Sequence, residues 1–225
     1  MNDDPLRLLH CAAAEWGARL DAPARDRIVD YLSFVRERNQ ATNLTSDDSW
    51  RALALKHAAD GVFAASRLRA LTPSAPRILD LGSGAGFIGI TMKIAWPQAD
   101  VTLMESVERK YRFLNAAATR LGLPGLHVLH RRAGSGAPLT SYERDRDVVI
   151  ERAAAALPQA LRTAWPMLAP RGLFAAFQTA EPDFTESTIT KSLVATGARV
   201  LKSFPYRRPA DELERRLVIF SHSKE

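Results

Sequence analysis

The residues best suited to chemistry lie where an apolar stretch at 78–81 runs directly into Gly82, Gly84 and Gly86. Glycines between an apolar strand and a helical pattern let the backbone turn tightly and approach a ligand at the carboxyl end of the strand. The segment therefore predicts a binding site for a nucleotide-like ligand.

Two acidic residues bear on which ligand this loop binds. Read from Gly84, the loop matches the G-x-G-x-x-G pattern of dinucleotide sites, and Glu105 lies 19 residues after Gly86, where a carboxylate can bind ribose hydroxyls. Asp80, however, would face the pyrophosphate of a nicotinamide cofactor, a contact between like charges. S-Adenosylmethionine carries an ammonium and a sulfonium and no phosphate, so the acids favour this cofactor. A nicotinamide oxidoreductase is the lowest-ranked alternative.

The spacing of apolar residues along the chain changes near residue 72. Before it, apolar side chains recur at helical spacing, which predicts helices that begin at Asp4 and at Asp21, the second ending near Asn39, and a third helical segment over 49–71. We expect residues 1–72 to form a helical extension packed on the catalytic domain.

Beyond a linker at 72–76, short apolar runs alternate with amphipathic segments, which is the pattern of repeated β-α units. We expect residues 73–225 to form an α/β domain of the Rossmann-like, class I S-adenosylmethionine-dependent methyltransferase type. Its seven-stranded sheet should be mostly parallel and end in a C-terminal antiparallel hairpin. The predicted strands are 77–81, 101–105, 127–130, 147–150, 173–177, 199–204 and 215–221. The predicted helices are 87–95, 108–121, 157–168 and 183–196.

Composition places the chain among ordinary globular proteins. It has 225 residues, 46% of them hydrophobic, one cysteine and a formal charge of +6. The charge is uneven: residues 1–75 contain ten Lys/Arg and ten Asp/Glu, and residues 76–225 contain 21 and 15. A basic surface attracts polyanions such as RNA, although this signal alone is weak. The single cysteine, the short apolar runs and the acidic N-terminal sequence predict a cytoplasmic protein with no membrane segment and no cysteine-rich metal site.

Seven segments together resemble one family. They are 43–45, 56–60, 80–90, 105–106, 110–114, 151–153 and 214–218. Over nearly its whole length the chain resembles the glucose-inhibited division protein B family, bacterial 16S ribosomal RNA guanine-N7 methyltransferases of the small subunit. The resemblance implies S-adenosylmethionine as cofactor, S-adenosylhomocysteine as product, and 16S ribosomal RNA or the small ribosomal subunit as partner. We further expect a monomer with no metal.

The substrate side departs from the usual pattern of the family. Ile88 stands where the family has Pro, Glu151 where it has Ser, Gly134 where it has the Glu of an Arg-Ala-Glu, and Gln178 where it has the Lys of a Lys-Gly. The missing lysine and the added Glu151 make the pocket less attractive to a phosphate backbone. We therefore expect this chain to share the cofactor of the family more closely than its RNA target.

The predicted site divides into cofactor and substrate residues. Arg152, just after the fourth predicted strand, is the candidate catalytic residue, because a guanidinium can donate to guanine O6; a purely structural role would be pairing with Glu151 or a helix end. The candidate RNA contacts are Arg131, Arg207 and Arg208. The cofactor candidates are Asp80, Gly82, Gly84, Gly86, Phe87, Glu105, Ser106, Ala133 and Arg152.

The sequence leaves open the role of one helical pair and the exact substrate. His57 and Asp60 lie within one helical turn, and they either approach the cofactor or guanine or merely pack a helix on the sheet. The favoured function is methylation of guanine N7 in 16S ribosomal RNA. Competing functions are a diverged methyltransferase for another RNA or a small molecule, and a noncatalytic RNA-binding protein of the same fold.

Overall fold

A computed structural model of the chain describes residues 4–132, 144–209 and 211–223. Its strands are β1 (Arg77–Leu81), β2 (Asp100–Glu105), β3 (Leu126–His130), β4 (Arg146–Arg152), β5 (Leu168–Gln178), β6 (Ala198–Arg207) and β7 (Glu214–His222). Its α-helices are α1 (Pro5–Glu15), α2 (Ala22–Thr42), α3 (Trp50–Ala52), α4 (Ala59–Leu68), α5 (Phe87–Ala95), α6 (Glu108–Leu121), α7 (Leu157–Ala164) and α8 (Ser187–Thr196). A π-helical stretch, Leu53–Ala58, joins α3 to α4.

The seven strands form one sheet in the order β3-β2-β1-β4-β5-β7-β6. The first five are parallel, and β7 pairs antiparallel with both β5 and β6. The predicted class I methyltransferase topology is thus confirmed, including the C-terminal hairpin. The strand order reverses between β1 and β4, and ligands of such sheets bind in the crevice at the carboxyl ends of the strands flanking this point.

Local chemistry sets the ends of the first two helices. The Asp4 side chain accepts a hydrogen bond from Leu6 N, and the Asp21 side chain accepts one from Ala24 N, as predicted for N-caps. Helix α2 continues past the predicted end near residue 39 to Thr42, because Asn43 there adopts the left-handed conformation that ends a helix.

The predicted helix boundaries at residues 168 and 183 were also wrong. Helix α7 ends at Ala164 and not at residue 168, because Pro166 lacks the N–H that an α-helix needs; a 3₁₀ turn follows, and β5 begins at Leu168. Helix α8 begins at Ser187, four residues after the predicted start.

All nine residues of helix α5 are buried, and all of them except Thr91 and Lys93 are apolar or glycine. The helix packs between the sheet and α4, and the surrounding core runs without a break from Leu9 in α1 to Ile219 in β7. The division at residue 72 into a helical extension and a catalytic domain therefore stays a prediction. In the part of the chain that the structure describes, no helix has the length and apolar composition needed to cross a membrane.

Gly61 permits the close contact between α4 and α5. A Cβ at this position would overlap Thr91 Oγ1 and lie 2.6 Å from the backbone oxygen of Ile88. The backbone cannot yield without separating the two helices, so this contact requires glycine.

We expect Gly61→Ala to lower the free energy of unfolding by about 3 kcal/mol, measured by urea denaturation, because overpacking a rigid contact costs this much. Lys191→Ala on the exposed face of α8 is the matched control, and it should change stability by less than about 0.5 kcal/mol. Equal stability of the two variants would contradict the close packing of α4 on α5.

Candidate active site

The glycine loop after β1 is held from above by the helical N-terminal region. Gly82 and Gly86 have φ angles of +71° and +86°, and Gly86 turns the chain into α5. The Tyr31 hydroxyl, buried on α2, donates a hydrogen bond of 2.7 Å to Ala85 O. Burial raises the pKa of Tyr31 well above its usual value, so the hydroxyl keeps its proton. In the sequence, Tyr31 is one more residue on the buried side of its helix, and no pattern indicates this hydrogen bond.

Asp80 lies beneath the first turn of α5. Its Oδ2 accepts a hydrogen bond of 3.0 Å from Gly89 N, and the residue is 2% exposed. The prediction placed this carboxylate toward the ligand, whereas the structure directs it to the helix N-terminus, where negative charge is favoured. Burial nevertheless raises its pKa to about 6. A pyrophosphate at this helix end would still meet a like charge, because an acid already occupies it.

Glu105 fastens the glycine loop to the end of β2. Its Oε2 accepts from Gly84 N at 2.9 Å, and its Oε1 accepts from Ser106 N and Val107 N, both at 2.7 Å. Three backbone donors hold the carboxylate in one orientation. Each oxygen has two lone pairs and three of the four are used, so Oε2 can still accept one hydrogen bond from a ligand hydroxyl.

A cavity of about 180 Å³ lies beside the glycine loop. Its lining includes Gly82, Ser106, Arg131 and Ala154. The structure thus brings together predicted cofactor residues, and it places Arg131 in this cavity, with its backbone N bonded to Glu105 O at 2.9 Å. The predicted cofactor residue Ala133 lies outside the described residues.

Asp60 is the centre of a second, charged part of the site. It is fully buried, and its Oδ2 accepts from Arg152 Nη1 at 2.7 Å. Its Oδ1 accepts from the Tyr206 hydroxyl at 2.8 Å and from Arg208 Nε at 2.7 Å. One carboxylate from α4 therefore balances two guanidinium groups, one at the end of β4 and one just after β6.

His57 extends this network on the side of α5. Its ring stacks on Phe87 with centroids 4.3 Å apart, its Nδ1 is 3.1 Å from Arg152 Nη2, and its Nε2 is 2.9 Å from Asp47 Oδ2. Burial and the charge of Arg152 lower the pKa of His57 to about 4. A neutral imidazole that donates from Nε2 to Asp47 and accepts at Nδ1 from Arg152 satisfies both contacts.

Three of the predicted site arginines, Arg152, Arg207 and Arg208, differ in their surroundings. The Arg152 side chain pairs with Asp60, a partner that the sequence did not indicate, and not with Glu151. Arg208, which was predicted to contact RNA, lies largely inside the protein, because its side chain is 11% exposed and bound to Asp60. Arg207 is exposed at the end of β6, as a surface contact requires.

A larger cavity of about 520 Å³ opens over the carboxyl ends of β4 and β5. Its lining includes His57, Glu151, Arg152, Phe177, Gln178 and Arg208, and it shares Ala155 with the smaller cavity. The two cavities therefore adjoin at the crevice between β1 and β4. In the described ranges, no group of three or more His, Cys, Asp or Glu side chains could hold a metal ion.

Solved structures with a similar fold include two methyltransferases. A precorrin-6y C5,15-methyltransferase from Geobacter metallireducens superposes with a TM-score of 0.52 and 14% identity, covering 72% of this chain and 87% of that chain. A methyltransferase from Pyrococcus furiosus gives 0.53 and 16%, covering 70% and 80%. At these identities the likeness concerns the fold, which is that of class I S-adenosylmethionine-dependent methyltransferases.

Sequence comparison shows the family of the chain as well as its fold. A "Ribosomal RNA small subunit methyltransferase G" from Streptococcus equi subsp. zooepidemicus is 31% identical over 89% of this chain and 84% of its own length. One of the same name from Listeria welshimeri is 29% identical over 95% and 89%. Residues 24–207 match the family described as rRNA small subunit methyltransferase G. Because this match spans most of the sheet together with the helices before it, the chain belongs to the rRNA small subunit methyltransferase G family.

Proposed function

We propose that this protein transfers a methyl group from S-adenosylmethionine to N7 of a guanine in 16S ribosomal RNA of the small ribosomal subunit. The observation that carries the proposal is the pair of adjoining cavities at the crevice between β1 and β4. One lies beside the glycine loop, and the other contains the Arg152 guanidinium. Membership of the rRNA small subunit methyltransferase G family supports the same reaction.

The glycine loop and the end of β2 form the cofactor side. The fixed Glu105 carboxylate can accept from a ribose hydroxyl, and open space where a Cβ of Gly84 would lie leaves room for a ligand close to the backbone. Gly82, Gly86, Phe87 and Ser106 are further residues that we assign to this side. When bound, S-adenosylmethionine supplies an electrophilic methyl group on a positively charged sulfur.

The large cavity forms the substrate side. Guanine N7 has an unprotonated lone pair at neutral pH, so no side chain has to remove a proton. The protein must instead orient the base and exclude water. Arg152 uses one donor toward Asp60 and one toward His57, and a guanidinium has five N–H donors, so others are left for guanine O6. Asp60 and the neutral His57 act as positioning residues for Arg152.

The RNA backbone needs cations to contact its phosphates. Arg207 is exposed on β6 between Tyr206 and Arg208, which line the large cavity, and Arg131 lines the smaller cavity; we assign phosphate contact to Arg207 and Arg131. Arg208 differs, because its guanidinium balances Asp60. Its main contribution to RNA binding is therefore to keep Arg152 in place.

Glu105→Ala should weaken binding of S-adenosylhomocysteine roughly 10- to 100-fold in calorimetry, because it removes the charged acceptor and frees the loop amide of Gly84. Glu108→Ala, an exposed acid in the first turn of α6, should bind normally. Tight binding of NAD, with no heat from S-adenosylhomocysteine, would refute the cofactor assignment.

Arg152→Ala should reduce methyl transfer about 100-fold while leaving cofactor affinity within about twofold, because the lost donors act mainly in the transition state. The assay uses small subunits from cells lacking the gene, with labelled S-adenosylmethionine and mapping of N7-methylguanosine in 16S RNA. Arg171→Ala, an exposed arginine near the other end of the sheet, is the control. A wild-type protein that methylates no guanine N7 would refute the proposed function. An Arg152→Ala variant with a matching loss of cofactor affinity would instead move Arg152 to the cofactor side.

Arg207→Ala should weaken binding to small-subunit RNA and lower the slope of log K against log salt concentration by about 1, because fewer counterions are released. Arg199→Ala, at the opposite end of β6, should leave the slope unchanged. Identical slopes for wild type and Arg207→Ala would show that Arg207 makes no phosphate contact.

A further inference from the structure

Glu151 is an acid in the large cavity to which the proposed mechanism assigns no role. It precedes Arg152 at the end of β4 and is 1% exposed. Its Oε2 accepts a hydrogen bond of 3.1 Å from Ala154 N. Burial, together with the nearby charge of Asp80, raises the pKa of Glu151 to about 7. Glu151 is therefore a buried acid held by neutral backbone donors, unlike Asp60 with its two guanidinium groups.

A buried carboxylate favours a ligand that donates hydrogen bonds to it. Guanine presents such donors, because N1–H and the N2 amino group lie side by side and match the two oxygens of a carboxylate. Adenine, cytosine and uracil each place a hydrogen-bond acceptor next to their donor on this edge. The acid therefore selects for guanine by its chemistry.

The neighbouring arginine fits the same base. Along the rim of guanine, O6 lies between N7 and N1. Consecutive residues of a strand point to opposite faces of the sheet, but β4 ends at Arg152 and both Glu151 and Arg152 border the cavity there. They can therefore serve adjacent groups of the base, with Arg152 at O6 and Glu151 at N1 and N2. Both side chains line the cavity of about 520 Å³, beside the aromatic ring of Phe177.

We propose that Glu151 determines base specificity by accepting hydrogen bonds from N1–H and the N2 amino group of the guanine that is methylated. This inference rests on the proposed function and adds to it a residue that reads the base.

Inosine, which lacks the N2 amino group, tests the contact. Small subunits would be reconstituted from 16S RNA carrying guanosine or inosine at the nucleotide mapped with the wild-type protein. With wild type, inosine should lower kcat/KM roughly 10- to 100-fold, as expected for loss of a hydrogen bond to a charged group. With Glu151→Ala, guanosine and inosine should react within about twofold of each other. Glu15→Ala, an exposed acid on α1, should discriminate like wild type.

Calorimetry with S-adenosylhomocysteine confirms that each variant is folded, and Glu151→Gln replaces Glu151→Ala if the latter does not bind. Full discrimination by the folded variant would overturn the inference, as would a wild-type protein that does not distinguish the two bases. A fall in affinity for S-adenosylmethionine with unchanged discrimination would place Glu151 on the cofactor and also overturn it. If wild type methylates no guanine N7, the proposed function itself fails.

Discussion

The buried carboxylate of Asp60 holds the charged part of the site together. It joins α4, the end of β4 and the end of β6 through Arg152, Arg208 and Tyr206. Removing one partner of a buried ion pair typically costs about 3–5 kcal/mol, because the remaining charge is left uncompensated. The network therefore holds the helical N-terminal region and the C-terminal hairpin over the same cavity. It also fixes the one guanidinium that the proposed chemistry needs.

The acids of the site differ according to what surrounds them. Asp80 serves the N-terminus of α5, Glu105 is held by three backbone amides, and Glu151 lies in the larger cavity with a backbone donor. Asp80 serves a helix end, and in the function that we propose Glu105 accepts from a ribose hydroxyl and Glu151 from a base edge. The proposed cofactor and RNA sides thus differ in the surroundings of their acids and arginines more than in net charge.

Much of the fold could be predicted from local pattern. The seven strands, the glycine loop and the helix starts at Asp4 and Asp21 follow from apolar period, glycine and capping residues, which act over a few residues of chain. The ends of the helices were predicted less accurately. Helix α7 stops early because Pro166 interrupts its hydrogen bonds, and the π-helical stretch before α4 has no signature in the apolar spacing.

The fold class, the family and the residues of the glycine loop could be predicted from the amino-acid sequence, because they depend on order and spacing along the chain. The pairing of charges could not, because it depends on packing in three dimensions. Asp60 and Arg208 are separated by 148 residues, and Tyr31 and Ala85 by 54, so their contacts arise from the packing of distant elements. For the same reason Arg208 lies inside, bound to Asp60. A buried charge takes the partner that folding brings to it, and that partner is set by three-dimensional packing, not by spacing along the chain.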